Sequence, residues 1–372
     1  MIKRKIQKNI ENNLFKGKVV IIYGARQVGK TTLVKEIMKK YSPAVYLNCD
    51  EPDIKKALTE KTSTELKNFL GKNKLVVIDE AQRVKNIGLI LKLIVDNMTD
   101  LQVIAIGSSS FDLSNEVNEP LTGRKYEYFL SPFSFEELKQ NYSDLELKRL
   151  LETRMIYGAY PEVINNPAEA DQNLINLTRS YLYKDVLQYQ RIKNPDVLEK
   201  LLQALALQVG SEVSYNELAS LVGIDKKTIE SYLRILEQSF IIFRLCPFSR
   251  NIRNELKKMR KIYFYDNGLR NALINNLNPL QLRQDVGALW ENLMISERLK
   301  FNGNNNLTKN IYFWRTQSRQ EIDYLEEAGD KLAAYEFKWK KDKTKTPTEF
   351  LKAYKDSSFQ VINQDNFLNF VL

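Results

Sequence analysis

Val19-Val20-Ile21-Ile22-Tyr23-Gly24-Ala25-Arg26-Gln27-Val28-Gly29-Lys30-Thr31-Thr32 decides the fold. Its first five residues are an unbroken apolar run, which reads as a short strand buried on both faces. Gly24 to Lys30, closed by Thr31, then spells G-x-x-x-x-G-K-[ST], and an amphipathic helix begins near Lys30. In that setting the backbone N–H groups of Ala25, Arg26, Gln27, Val28 and Gly29 face phosphate oxygens, and the helix N-terminus adds its positive end. Lys30 is expected to reach the β- and γ-phosphates, and the Thr31 hydroxyl to hold Mg²⁺. A bare glycine turn between strand and helix would need none of these residues together. The stretch implies a nucleoside-triphosphate site.

Leu75-Val76-Val77-Ile78-Asp79-Glu80 is a second apolar strand, ending in two acids. Asp79 fits the carboxylate that holds the Mg²⁺ shell, and Glu80 is placed to polarise an attacking water. An acid pair after a strand is a weak signal alone and a strong one downstream of a phosphate loop. A further strand between the two motifs, Ala44-Val45-Tyr46-Leu47-Asn48, points to the additional-strand division of P-loop ATPases, where AAA+ proteins belong.

A length of 372 residues predicts two or three domains. With 43% hydrophobic and 27% charged residues the composition is that of a globular protein, and no apolar run reaches membrane-spanning length. Met1-Ile2-Lys3-Arg4-Lys5 is basic, but polar residues follow where a signal peptide would be apolar. Two isolated cysteines, Cys49 and Cys246, suit the cytoplasm and speak against a disulfide scaffold or thiolate zinc site. Histidine is absent, which excludes histidine triads, H-E-x-x-H zinc sites and histidine-based nucleases. The net charge of +10 is compatible with DNA as a partner, and equally with a compositional bias toward lysine and asparagine.

Up to about residue 130, strands and helices alternate as in a parallel sheet covered on both faces. Val103-Ile104-Ala105-Ile106 is a further buried strand, and Ser108 at its tip is either a γ-phosphate sensor or a turn serine. Tyr126 begins the last strand. Arg124 before it either stabilises transition-state charge, in its own site or a neighbour's, or is a surface arginine. Ser131-Pro132-Phe133 breaks the alternation, and the mainly helical segment that follows is expected to act as a lid. Residues 212–243 read as a helix-turn-helix, with Asp225 capping a second helix whose Ile229, Tyr232, Leu233, Leu236 and Phe240 face the core. Lys226, Lys227 and Arg234 point outward. A basic stretch follows (Arg250, Arg253, Lys257, Lys258, Arg260, Lys261) that would track phosphates in a winged-helix manner, or else belong to a protein-interaction module.

Near the C-terminus a third constellation forms. Glu291 lies on a predicted helix over 287–299, ahead of Glu321-Ile322-Asp323-Tyr324 and Tyr335-Glu336-Phe337-Lys338. The last two read as a hairpin turning at Ala328-Gly329. If Glu326 pairs with Lys331, then Asp323 and Glu336 are diagonal neighbours on one face, and Lys338 shares it. Two carboxylates and a lysine so placed can hold Mg²⁺ and cleave phosphodiesters; the alternatives are a nuclease-shaped domain without catalysis, or a solvated hairpin.

Together these segments resemble a bacterial and archaeal ATPase family that joins an AAA+-like domain to a winged helix and a C-terminal domain of the PD-(D/E)xK nuclease superfamily. The resemblance covers nearly the whole chain. It rests on Gly24 through Thr32, Leu-Val-Val-Ile-Asp-Glu-Ala-Gln from Leu75, Gly107-Ser108-Ser109, Gly123-Arg124 and Tyr160-Pro161-Glu162. Further matches are Ile262-Tyr263-Phe264-Tyr265-Asp266-Asn267-Gly268-Leu269, Gly287 to Glu291, Trp314-Arg315-Thr316, Glu321-Ile322-Asp323 and Glu336-Phe337-Lys338. Phe337 departs from the smaller branched residue usual there. The expectation is an α/β protein: a P-loop NTPase parallel sheet of additional-strand type (1–135), a helical lid (136–205), a winged helix (206–262) and an α/β nuclease-like domain (263–372). ATP and Mg²⁺ are the expected cofactors, and DNA or a protein the expected partner, with no membrane. A nucleotide-driven switch without turnover and an ATP-regulated nuclease are the rival functions.

Overall fold

The structure is a computed structural model that describes residues 2–107, 117, 119–181, 194–248, 260–316, 320–340 and 346–372. The chain divides into two compact units. One comprises 3–131 with 238–240, and the other 132–237 with 241–372.

In the first unit five parallel strands, β1 (Val19–Tyr23), β2 (Ala44–Asn48), β3 (Leu75–Asp79), β4 (Gln102–Gly107) and β5 (Lys125–Phe129), lie in the order β2-β3-β4-β1-β5. Every residue of β1, β3 and β4 is buried, which is why these strands read as continuous apolar runs; β2 and β5 at the edges are half-open. The helices are α1 (Ile6–Glu11), α2 (Lys30–Met38), α3 (Pro52–Leu58), α4 (Ser63–Leu70) and α5 (Ile87–Asn97). The strand inserted between the two motif strands is β4, whereas Ala44–Asn48 forms the outer edge. Position in the sequence between two motifs does not fix position in the sheet. The insertion sets the tip of β4, at Gly107, between the phosphate loop and the acid pair.

The second unit opens with α6 (Phe135–Leu138), α7 (Asp144–Tyr157), α8 (Pro161–Asn165) and α9 (Ala170–Tyr181). Next come α10 (Pro195–Leu207), β6 (Glu212–Val213), α11 (Tyr215–Val222), α12 (Lys226–Gln238), β7 (Ile242–Pro247) and β8 (Arg260–Phe264). It is completed by α13 (Asn267–Leu273), α14 (Val286–Asn304), β9 (Asn310–Arg315), β10 (Glu321–Ala328), β11 (Lys331–Phe337), α15 (Thr348–Ala353), β12 (Ser357–Ile362) and α16 (Phe367–Val371). Gly223, at a left-handed φ of 79°, turns α11 into α12, and Asp225 caps α12 by accepting from the Thr228 amide. Ile229, Tyr232, Leu233 and Leu236 are buried as their spacing requires; Phe240 packs instead against the apolar core of the first unit.

One seven-stranded sheet, β12-β11-β10-β9-β7-β8-β6, runs through this unit. It is joined where β7 pairs in parallel with β9, Cys246 opposite Tyr312 and Pro247 opposite Phe313. The boundary expected at 262/263 therefore falls inside β8, and the strands expected of two domains share one sheet. The β10–β11 hairpin pairs Ala328 with Lys331 and Tyr324 with Tyr335, two residues tighter than the expected register. Gly329 at φ 60° permits the two-residue turn.

Asp266 anchors the helices beside the sheet. Its carboxylate caps α13 through the Leu269 amide and accepts from the Ala159 amide at 2.7 Å. Gly158, at φ 66°, gives it room: a Cβ there would lie 1.9 Å from the Asp266 Oδ1.

Candidate functional site

The phosphate loop joins β1 to α2. Gly24 must be glycine because a Cβ there would meet the Leu130 carbonyl oxygen at 2.3 Å, and Gly29 enters α2 at a left-handed φ of 94°. The Lys30 side chain is buried and folds back along the loop, its Nζ donating to the Gly24 and Ala25 carbonyls, each at 2.7 Å. Thr31 Oγ1 donates to Asp79 Oδ2 at 3.0 Å, so the two expected Mg²⁺-holding groups already face each other across the end of β3. Asp79 also accepts from the Glu80 amide at 2.8 Å. Glu80 takes a left-handed φ of 49°, and its carboxylate accepts from Gln82 Nε2 at 2.5 Å. Burial pushes the Glu80 carboxyl above the usual range, against the lowering pull of Lys30 and Arg26. Arg26 is half-buried, Gln27 and Thr32 are exposed, and Val28 is buried. A buried ammonium bonded to loop carbonyls, beside a hydroxyl–carboxylate pair, is a donor set that fits a triphosphate with Mg²⁺.

Two residues join this site without a signal in the sequence. The Tyr46 hydroxyl, from β2, bonds Asp79 Oδ2, and burial followed by that carboxylate raises its pKa. Arg4 donates to the Val28 carbonyl at 3.1 Å and to the Ser131 carbonyl, tying the phosphate loop to the chain that leaves β5. Both depend on which strands and helices become neighbours.

Arg124 stands apart from its own nucleotide site. It precedes β5, its carbonyl accepts from the Val19 amide, and its guanidinium pairs with Asp96 at 2.8 Å. Val19 begins β1, so Arg124 lies at the sheet end opposite the phosphate loop. Ser108 lies outside the described residues, as do Arg250, Arg253, Lys257 and Lys258.

In the second unit, continuing the observed hairpin register sets Asp323 opposite Glu336 rather than diagonal to it. A two-residue shift keeps every side chain on its face, so the expected convergence survives the change of register. Asp323 Oδ2 accepts from the Phe337 amide at 2.8 Å, and Lys338 Nζ pairs with Glu336 at 2.8 Å. Glu291 on α14 accepts from the Tyr263 hydroxyl at 2.5 Å.

Lys261 completes the cluster. The charge pattern places it on a phosphate-tracking surface, but its side chain is only 4% exposed, with Nζ 2.6 Å from Glu321 and 3.4 Å from Glu291. Burial, then the charge of Asp323, pushes the Glu291 carboxyl up to about 7. Burial likewise raises Asp323 and Glu336. Among the described residues no group of three or more acidic or thiol side chains is drawn together in a way that could hold a metal. The acids are bound to Lys261, Lys338, Tyr263 and a backbone amide instead, and so arranged they do not fit a divalent ion.

Comparison with known proteins divides the chain in three. Residues 16–139 match the family described as an AAA domain; 148–280 and 286–368 match two domains of unknown function, DUF8612 and DUF4143. An uncharacterized protein of Mycobacterium tuberculosis is 26% identical over 351 residues, covering 93% of this chain and 75% of that one. One from Methanocaldococcus jannaschii is 27% identical over 344 residues, covering 86% and 74%. The Walker-type ATPase of Pyrococcus abyssi has a similar fold, with a TM-score of 0.50 at 15% identity over 73% of this chain and 96% of that one. Among the described residues no helix is long and apolar enough to cross a membrane. The first unit, with its inserted β4 and its loop from Gly24 to Thr31, has the fold of a P-loop NTPase, over the residues that match an AAA domain.

Proposed function

We propose that this protein is a Mg²⁺-dependent ATPase whose nucleotide state governs its C-terminal half. The observation that carries this reading is the juxtaposition of Thr31, Asp79 and Glu80 beside Lys30. Thr31 and Asp79 would hold Mg²⁺, which supplies charge neutralisation at the phosphates. Lys30 exchanges two loop carbonyls for phosphate oxygens when ATP binds. Glu80, half-buried and inclined to take up a proton, orients the attacking water. Leu130 and Ser131 support the coupling: one packs its carbonyl on Gly24, and the other is tied by Arg4 to Val28. A change in the loop would therefore be felt where the chain leaves the first unit.

Phosphate release tests this directly. Glu80→Gln should bind ATP and lose turnover by about 100-fold or more, the scale of a positioned base. Equal turnover in the two proteins would remove Glu80 from the reaction.

A second reading concerns nucleic acid. The run α10–β6–α11–α12–β7–β8 has the order of a winged helix, and Lys226, Lys227 and Arg234 of α12 are exposed. This favours DNA as the object of the nucleotide cycle. The acids of β10, β11 and α14 give the last part of the chain the arrangement of a nuclease-like site, held in a state that does not cleave.

A further inference from the structure

We propose that Lys261 is a built-in counter-cation, occupying the place a divalent ion would take among Glu291, Glu321, Asp323 and Glu336, so that the site is closed to metal until this lysine is withdrawn. The inference rests on the nuclease-like reading of that cluster.

Lys261 comes from β8, outside the hairpin and helix that supply the acids. Its ammonium reaches Glu321 at 2.6 Å and Glu291 at 3.4 Å, and lies 5.5 Å from the centre of the Phe313 ring. A lysine this deeply buried loses its hydration and keeps its charge only where carboxylates face it. Its strand neighbour Tyr263 holds Glu291 from the same side. Gly210, whose amide donates to the Ile262 carbonyl of the same strand, also abuts the Glu291 carboxylate, and an added Cβ there would lie 3.3 Å from Oε1. Glu291 is thus confined on the lysine's side of the cluster. Lys338, the lysine of the Glu336-Phe337-Lys338 stretch, is 41% exposed and pairs with Glu336 at the edge of the cluster, so it is not the residue that fills the centre. The closing cation therefore belongs to the helix-turn-helix segment, and any movement of β8 relative to β10 and α14 would open the cluster.

The test is Mn²⁺ binding by calorimetry in nucleotide-free full-length protein. Any ion held through Asp79 is common to every variant and cancels. Lys261→Met should bind Mn²⁺ at least about ten times more tightly than wild type, and Lys261→Met/Asp323→Ala should lose that gain. Lys261→Met takes the ammonium away from Glu291 and Glu321, so its melting temperature should also rise more with Mn²⁺ than the wild type's. If it does not fold, Lys261→Met/Glu291→Gln removes cation and acid together and should still bind Mn²⁺ more tightly than wild type through Asp323 and Glu336. Affinity unchanged from wild type in the folded variants, or tight Asp323-dependent binding by the wild type itself, would overturn the proposal. Tight Mn²⁺ binding by Lys261→Met with plasmid DNA left intact would uphold the counter-cation and remove the nuclease reading.

Discussion

Lys30→Ala is the perturbation whose size can be worked from the geometry. The ammonium is buried and makes two bonds of 2.7 Å to the Gly24 and Ala25 carbonyls. Hydrogen bonds to a charged group contribute about 1.5–3 kcal/mol each, and part of this is given up when the lysine turns to phosphate. Against that, a unit charge about 4 Å from a phosphate oxygen, at an effective dielectric constant near 20, gains about 4 kcal/mol. The difference is of order 2 kcal/mol, about a 30-fold loss of ATP affinity. The loss is smaller than the Coulomb term alone suggests because the wild-type lysine is already satisfied. Two measurements follow. Fluorescence anisotropy with a labelled ATP analogue at fixed Mg²⁺ should show the weaker binding. Thermal melts without nucleotide should show a less stable variant, since two buried carbonyls lose their donor. Affinity within a factor of two of wild type would refute the placing of Lys30 on the phosphates. Weaker binding with unchanged nucleotide-free stability would refute the folded-back lysine as the resting state.

Other outcomes can be stated more briefly. Glu291 has a carboxyl raised above its unfolded value, so its contribution to stability is greatest below the ordinary carboxylate range and is lost as pH rises toward about 7. Chemical denaturation from pH 5 to pH 8 should show stability falling with a slope that Glu291→Gln reduces; an identical slope would show that Glu291 is ionised throughout. Gly158→Ala sets a methyl group onto the Asp266 carboxylate in a left-handed backbone conformation, and should cost more than about 2 kcal/mol by denaturant midpoint. An unchanged midpoint would mean that the turn relaxes freely. Replacing Lys226, Lys227 and Arg234 by alanine should reduce the salt dependence of DNA binding by close to three counterions, and an unchanged slope would take α12 off the phosphates.

What could be read from the sequence follows the range of the interactions involved. Strand, loop and helix from Val19 onward are consecutive, so apolar run, glycines and lysine identify one another. The turn at Gly223 and the cap at Asp225 are equally local. Tyr46 and Arg4 were illegible because their roles depend on strand order and on where the chain leaves β5. The hairpin illustrates the middle case: the sequence pattern sets its turn two residues too wide, yet Asp323 and Glu336 still share a face because side chains alternate with period two. Lys261 is hidden in the sequence for a different reason. Charge composition assigns a lysine in a basic stretch to solvent, and only the tertiary fold reveals that Glu321 of a strand and Glu291 of a helix pair with it.

The pairing of Cys246 and Pro247 with Tyr312 and Phe313 bears on how this chain can be cut or exchanged. A fragment ending at residue 262 would stop inside β8 and leave β7 without its partner β9, an open edge inviting stray association with other chains. The complementary piece would lose Lys261 and retain the acids it neutralises. Recombination that swapped the helix-turn-helix alone would therefore bring two foreign edges together and leave a cluster of uncompensated charge. Inheritance should treat residues 195–372 as one heritable block, with working chimeras joined upstream of α10 rather than within β8.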